Sequence, residues 1–178
     1  MTDRLDFNQN HFDLFGLPVS FALDTDRLEQ AYRDIQSQIH PDRFAHAGVA
    51  EQRLSMQWAT RVNEAYQALR RPFGRARYLL QLNGIDAFAA GNAAMTPAFL
   101  IQQMEWREAL EEARSGRDPA ALQVLSRQLR EQTAALQASL ATQIDEHQAL
   151  AAAAETLREL RFMDKLLEEI DAAFDDIA

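Results

Sequence analysis

The sequence predicts an all-α protein, in which a helical hairpin with short flanking helices precedes a three-helix bundle. Apolar residues recur at helical spacing through the 178-residue chain, and no useful length alternates with the period of two that is typical of strands. Capping residues, prolines and glycines also stand where these helices need to begin and end. The individual elements follow from these two observations.

Four helices are predicted in the first half of the chain. They are expected at residues 11–16, 24–40, 50–70 and 73–82. Asn10 caps the first, Asp24 or Thr25 caps the second, and Asn83-Gly84 ends the fourth. Pro41 ends the second helix, because the residue before a proline is pushed out of helical conformation. The third helix is expected to turn one apolar face inward, formed by Leu54, Trp58, Val62, Ala65, Tyr66 and Leu69.

The second half contains three longer helices. IDAFAAGNAAM, residues 85–95, is weakly patterned and predicts a linker between a unit at 1–84 and a unit at 96–178. Thr96-Pro97 and Asp118-Pro119 each have the form of a cap followed by a first-turn proline. The helices are expected at 97–116, 119–147 and 150–177, and short connections make neighbouring helices antiparallel. The last helix is expected to bury Leu160, Met163, Leu167, Ile170 and Phe174.

The charge distribution and composition limit the classes of partner that this chain can bind. Residues 1–84 hold ten basic and ten acidic residues, whereas residues 85–178 hold eight basic and 17 acidic residues, which accounts for the net charge of −9. An acidic second half argues against nucleic acid, because phosphates need a basic surface. We find no apolar run that could cross a membrane, no secretion signal and no cysteine, so we expect a cytoplasmic protein without disulfides.

The segment IHPDRFAHAG, residues 39–48, connects two predicted helices and carries unusual chemistry for a loop. Pro41 fixes its backbone, so Asp42 presents a carboxylate from a rigid turn, a group suited to pairing with an arginine of a partner protein. A structural alternative is equally open at this point. In that alternative His40 caps the helix end and Asp42 caps the turn.

The surrounding sequence resembles a J domain, a module that activates DnaK-type chaperones. A helix, then His40-Pro41-Asp42, then Arg43-Phe44 and a long helix is the J-domain order, with FGL at 15–17 and VNEAYQAL at 62–69. The remainder is similar to the HscB family, the J-proteins of bacterial iron–sulfur cluster assembly. Three further stretches carry that similarity: RRPFGRARYLLQLNGID at 70–86, FLIQQMEWREALEEA at 99–113 and LRELRFMDKL at 157–166.

The resemblance implies two partners and no chemistry of its own. The J domain would recruit the chaperone ATPase HscA, and the C-terminal bundle would hold the scaffold protein IscU. The implied chaperone-binding residues are His40, Pro41, Asp42, Arg43, Arg33 and Arg27. J domains commonly have a lysine where this chain has Arg43, so a contact there differs in geometry. The second helix is only mildly basic, because acidic neighbours offset its arginines.

A helical wheel of the helix after Thr96 shows two apolar stripes. Phe99, Trp106, Leu110 and Ala113 form a sufficient core stripe, and a second stripe lies on another side among acidic residues. Phe162 likewise falls off the core stripe of the last helix. With the resemblance, these features imply a scaffold-binding site made of Leu100, Ile101, Met104, Glu105, Glu108 and Phe162. The alternative is a broad core contact, in which Leu100 or Ile101 packs under the N-terminal unit.

An enzyme is not predicted. The four histidines lack the spacing of a helical metal site, and no glycine-rich phosphate loop exists, so we expect no metal and no cofactor. Two other functions remain open at this stage. One is a J-protein for a different client, and the other is a metal-dependent hydrolase that uses His40 and Asp42.

Overall fold

The computed structural model describes residues 6–89 and 95–177. No strand occurs in these residues, and the all-α prediction is confirmed. The helices are α1 (His11–Leu14), α2 (Thr25–Ile39), α3 (Val49–Arg70), α4 (Pro72–Leu82), α5 (Pro97–Ser115), α6 (Pro119–Ala141) and α7 (Leu150–Ile177). The chain divides into two compact units, and the boundary between them, after Leu79, falls within the α4 sequence.

The predicted helix starts are confirmed by their capping hydrogen bonds. Asn10 accepts from the backbone N–H groups of the first turn of α1, and Asp24 and Asp118 do the same for α2 and α6. Thr96 accepts from the Phe99 N–H at 3.2 Å at the start of α5. Gly84 follows α4 with φ of +75°, a left-handed conformation that glycine adopts without strain. These local interactions satisfy donors that a helix end leaves unpaired.

The first unit is built on the antiparallel hairpin of α2 and α3. Ser55 bonds to the carbonyl of Ile39 near the turn, and Tyr32 bonds to Asn63 further away, so the two chains run in opposite directions. The Tyr32 ring also stacks on Tyr66, with centroids 4.1 Å apart. The apolar side chains buried in this unit are Phe12, Leu14, Phe15, Leu17, Phe21, Leu28, Ile39, Trp58, Val62, Ala65, Leu69, Ala76 and Leu79.

The second unit is a three-helix bundle. Phe99 contacts Phe162, Arg107 pairs with Glu169, and Arg114 pairs with Asp176, so α5 and α7 run parallel with a constant offset. The intervening α6 is antiparallel to both, as the short connections predict. One cluster of the bundle core consists of Leu110, Ala113, Leu122, Leu125, Leu129, Met163, Leu166, Ile170 and Ala173. Leu140, Ile144, Leu157 and Leu160 are buried as well.

One sequence-based expectation about helix phase is wrong. Leu54 is exposed, and Ser55 is the buried residue at the hairpin end of α3, because the buried positions 55, 58, 62, 65 and 69 keep one helical phase. Leu166 is more deeply buried than Leu167 on α7. The helix expected to reach residue 147 is α-helical as far as Ala141. A π-helical turn at Thr142–Glu146 continues it.

The described part of the predicted linker is packed within the second unit. Ala87 is buried, and the carbonyl oxygen of Ala87 accepts a 3.2 Å hydrogen bond from Nη1 of Arg158 on α7. The rest of the predicted linker, apart from Met95, lies outside the described residues. Residues 85–89 are therefore held against α7 by at least one specific hydrogen bond.

Candidate functional site

The loop that carries His40, Pro41 and Asp42 is a short 3₁₀ helix, Pro41–Phe44, rather than an irregular turn. His40 has an extended backbone with ψ of 129°, which ends α2 in front of the proline. The backbone N–H of Asp42 donates to Nδ1 of His40 at 3.3 Å. His40 thus caps the N-terminus of the 3₁₀ helix. The alternative in which His40 has a capping role is therefore correct in part, although its side chain caps this helix and not the C-terminus of α2.

Asp42 presents its carboxylate to solvent. Its side chain is 90% exposed, and the nearest oxygen lies 3.6 Å from Nδ1 of His40. A carboxylate on a turn whose backbone is fixed loses little conformational freedom when a partner pairs with it. The position suits a bidentate bond to an arginine of another protein.

The loop is tied to both helices of the hairpin. Ser55 on α3 donates to the carbonyl oxygen of Ile39 at 2.6 Å, and Arg43 Nη1 donates to the carbonyl oxygen of Ser37 at 2.7 Å. Nε2 of Gln52 donates to the carbonyl oxygens of Ala45 and Ala47. Carbonyls at the end of a helix and in a loop have no partner of their own in the helix ladder, and here side chains supply one. Sequence reasoning missed Ser55 and Gln52, because a polar residue on α3 gives no pattern signal.

The two arginines predicted on α2 differ in their relation to the loop. Arg33 is exposed and forms an i,i+4 ion pair with Glu29, at 2.6 Å. Arg27 lies in the first turn of α2, 13 residues before His40. At 1.5 Å of rise per residue this is about 20 Å from the loop. Along α2, Arg33 therefore lies nearer the loop than Arg27 does. The two arginines are not adjacent to each other.

The second stripe of α5 is exposed. Leu100, Ile101 and Met104 have 47%, 60% and 72% of their surface exposed, and none of them belongs to the core of the bundle. Glu105 and Glu108 are also exposed, and Glu105 accepts a 2.8 Å hydrogen bond from Gln102. Three large apolar side chains on adjacent turns, bordered by acids, form a patch of the kind that marks protein-binding surfaces.

The position of Phe162 off the core stripe indicated an isolated surface residue, but its side chain is partly buried. Its ring meets Phe99 edge-on at 5.8 Å and lies nearly parallel to Trp106 at 6.3 Å. All three rings are partly buried at the edge of the bundle core. Phe99 and Trp106 belong to the core stripe of α5. Phe162 of α7 therefore packs against α5, the helix that also carries the exposed stripe.

Arg107 completes this region and was not identified from the sequence. Its guanidinium lies 5.4 Å from the centroid of the Phe162 ring, and Nη1 is 3.7 Å from Oε2 of Glu169. Its spacing from Leu100 and Met104, seven and three residues, was the available signal. The signal was overlooked because the arginine interrupts an apolar pattern.

The described residues hold no group of three or more His, Asp or Glu side chains that could bind a metal ion, so His40 and Asp42 are not part of one. Within the same residues, no helix is both long and apolar enough to cross a membrane. An exposed loop carboxylate in one helical unit and an exposed apolar stripe in the other define a protein that acts by binding other proteins.

Comparisons with known proteins agree with this class. Residues 95–171 match the family described as the HSCB C-terminal oligomerisation domain. The chain is 51% identical to a co-chaperone protein HscB homolog of Aromatoleum aromaticum, over 96% of this chain and 97% of that one. It is 52% identical to a homolog of the same description from Burkholderia multivorans, over 92% and 93% of the two chains.

Solved structures show the same relationship. Chaperone HscB from Vibrio cholerae matches with a TM-score of 0.86 at 37% identity, over 96% of this chain and 100% of that one. Human co-chaperone protein HscB matches with a TM-score of 0.88 at 29% identity, over 94% and 83%. The chain therefore belongs to the HscB family. It is a co-chaperone with a role in iron–sulfur cluster assembly and not an enzyme, which excludes the hydrolase alternative.

Proposed function

We propose that this co-chaperone uses the loop of the first unit to stimulate an HscA-type ATPase and the second unit to hold an IscU-type scaffold protein. The observation that carries the proposal is the exposed Asp42 carboxylate, on a loop fixed to both α2 and α3. The co-chaperone performs no hydrolysis. It engages the chaperone, and the chaperone hydrolyses ATP.

The exposed stripe of α5 and Phe162 support the second half of the proposal. Leu100, Ile101, Met104 and Phe162 supply the apolar contact, since buried apolar anchors dominate the affinity of most interfaces. Glu105 and Glu108 set the register of the scaffold and its specificity, as rim charges generally do. With both partners on one chain, the scaffold reaches the chaperone at a high effective concentration without any new contact between them. We assign the protein to the cytoplasm, because the proposed chaperone and scaffold partners operate there.

The two halves are separable in one assay of ATP hydrolysis by the HscA-type chaperone. Wild-type chain alone is expected to raise the rate, and added IscU-type scaffold is expected to raise it further. A Leu100→Ala/Met104→Ala variant should keep the first increase and lose the scaffold-dependent increase. Val124→Ala, which trims an exposed apolar residue of α6, is the matched control and should behave as wild type. A scaffold-dependent increase that survives in the double variant would place the scaffold site elsewhere.

A further inference from the structure

Arg107 joins the two helices of the proposed scaffold face. It stands on α5, its guanidinium lies over the Phe162 ring of α7, and its Nη1 is 3.7 Å from Oε2 of Glu169, also on α7. Half of the Arg107 side chain is exposed, as is a third of the Glu169 side chain. The arginine is therefore accessible at the surface and in contact with an aromatic ring.

The Phe162 ring is partly buried and contacts three neighbouring side chains. Trp106 lies nearly parallel to it with an interplanar angle of 24°, Phe99 meets it at 81°, and the cation of Arg107 lies over the ring. Aromatic and cation–π contacts of this geometry favour one ring orientation over others. The two aromatic neighbours pack against the bundle core, whereas half of the Arg107 side chain is exposed.

Arg107 also lies in line with the apolar anchors of α5. Leu100, Met104 and Arg107 follow the spacing i, i+4 and i+7, so they form one stripe along the helix surface. The stripe that begins at Leu100 therefore ends at the residue that contacts Phe162. This continuity links the α5 part of the proposed face to its α7 part.

We infer that Arg107 is a positioning residue of the scaffold-binding face, which holds Phe162 in the orientation that the scaffold contacts. The inference rests on the proposed function. A ring already held in its bound orientation loses less freedom on binding, and the affinity gain comes from this preorganisation. An exposed cation–π contact of ordinary strength corresponds to about a two- to fivefold change in affinity.

The test is a calorimetric titration of the full-length chain with an IscU-type scaffold. Arg107→Met keeps an unbranched apolar stem of similar bulk but removes the cation, and it should weaken binding about two- to fivefold. Arg107→Lys restores a cation and should recover most of the affinity. Arg114→Met is the matched control, because Arg114 forms the next ion pair along the same helix pair, with Asp176 at 3.2 Å, beyond Phe162. It should bind as wild type.

A second background separates positioning from direct contact. With Phe162→Leu in place, no ring remains for Arg107 to hold, so adding Arg107→Met should change the affinity little. Equal weakening in both backgrounds would overturn the positioning role, as would wild-type affinity for Arg107→Met alone. If the wild-type chain itself does not bind the scaffold, the proposed function fails, and this inference falls with it. Ring-proton NMR shifts of Phe162 should move in Arg107→Met and stay in place in Arg114→Met.

Discussion

Ser55 Oγ of α3 donates a 2.6 Å hydrogen bond to the backbone carbonyl oxygen of Ile39, the last residue of α2. Both residues are buried. The bond joins the two arms of the hairpin directly below the loop that carries Asp42. We regard this contact as the main link between the stability of the first unit and the geometry of its proposed binding loop.

The first prediction concerns this contact. Ser55→Ala leaves the buried Ile39 carbonyl without its side-chain donor and should lower the free energy of unfolding by about 1–3 kcal/mol. Urea denaturation measures the loss. Thr60→Ala is the control, because Thr60 makes a comparable bond to the Met56 carbonyl on the exposed side of α3 and should cost much less. Equal stabilities for the two variants would argue against a role for Ser55 in fixing the loop.

The second prediction concerns Arg43, which stands where J domains commonly have lysine. Its bond to the Ser37 carbonyl should contribute about 0.5–1.5 kcal/mol to the free energy of unfolding. Arg43→Met should lose this contribution, whereas Arg43→Lys should keep most of it, since an ammonium group also donates to a carbonyl. Thermal unfolding of the two variants beside wild type makes the comparison. A lysine variant as unstable as the methionine variant would show that the guanidinium geometry is required.

The third prediction concerns pH. Burial, and then the nearby Arg61, lower the pKa of His11 below its ordinary value of 6.5, with Glu64 opposing them in part. His11 stacks on Tyr78, with the ring centroids 4.0 Å apart. Below pH 6.5 the unfolded chain binds a proton at His11 more readily than the folded chain does. The contribution of His11 to the free energy of unfolding is therefore fully present above pH 6.5 and is lost as the pH falls below it.

His11→Phe keeps the stacking and removes this titration. The variant should therefore lose less stability than wild type between about pH 7 and pH 5.5, the range in which an ordinary histidine gains its charge. Chemical denaturation at a series of pH values gives the slope. His46→Asn removes an exposed histidine and should retain the wild-type slope. The same slope in His11→Phe and wild type would exclude His11 as its source.

The fourth prediction separates Phe162 from the rest of the proposed scaffold face. Because its ring packs on Phe99 and Trp106, Phe162→Ala should lower the free energy of unfolding by roughly 1–3 kcal/mol, less than for a fully buried phenylalanine. Leu100→Ala, at an exposed position, should change it by no more than about 0.5 kcal/mol. Guanidinium denaturation compares them. Equal effects would mean that Phe162 is not part of the core edge.

Most helices and their ends were predictable because their signals are local. Asn10, Asp24, Thr96 and Asp118 cap the helices that their positions predict, since a cap bonds only within its own first turn. Which of two neighbouring residues faces the core was less predictable. Leu166 and Leu167 are equally apolar, and the choice between them depends on how α5 and α6 pack on α7.

The candidate site shows the same division. The exposed stripe at Leu100 and Met104 was predictable from helical spacing, because a helix in a small bundle needs one apolar face and α5 has two. The contacts of Arg107 and Ser55 were not, because each bonds to a residue on another helix and leaves no periodic pattern. The aromatic packing of Phe162 depends in the same way on the offset between α5 and α7.

The central claim is that the Asp42 carboxylate activates a chaperone, and ATP hydrolysis by the HscA-type chaperone tests it most directly. Asp42→Ala should fold and bind the scaffold as wild type does, because the carboxylate faces solvent, yet leave the hydrolysis rate at that of the chaperone alone. Asp34→Ala removes the same charge from α2 and should stimulate at least as well as wild type. Wild-type stimulation by Asp42→Ala would contradict the account.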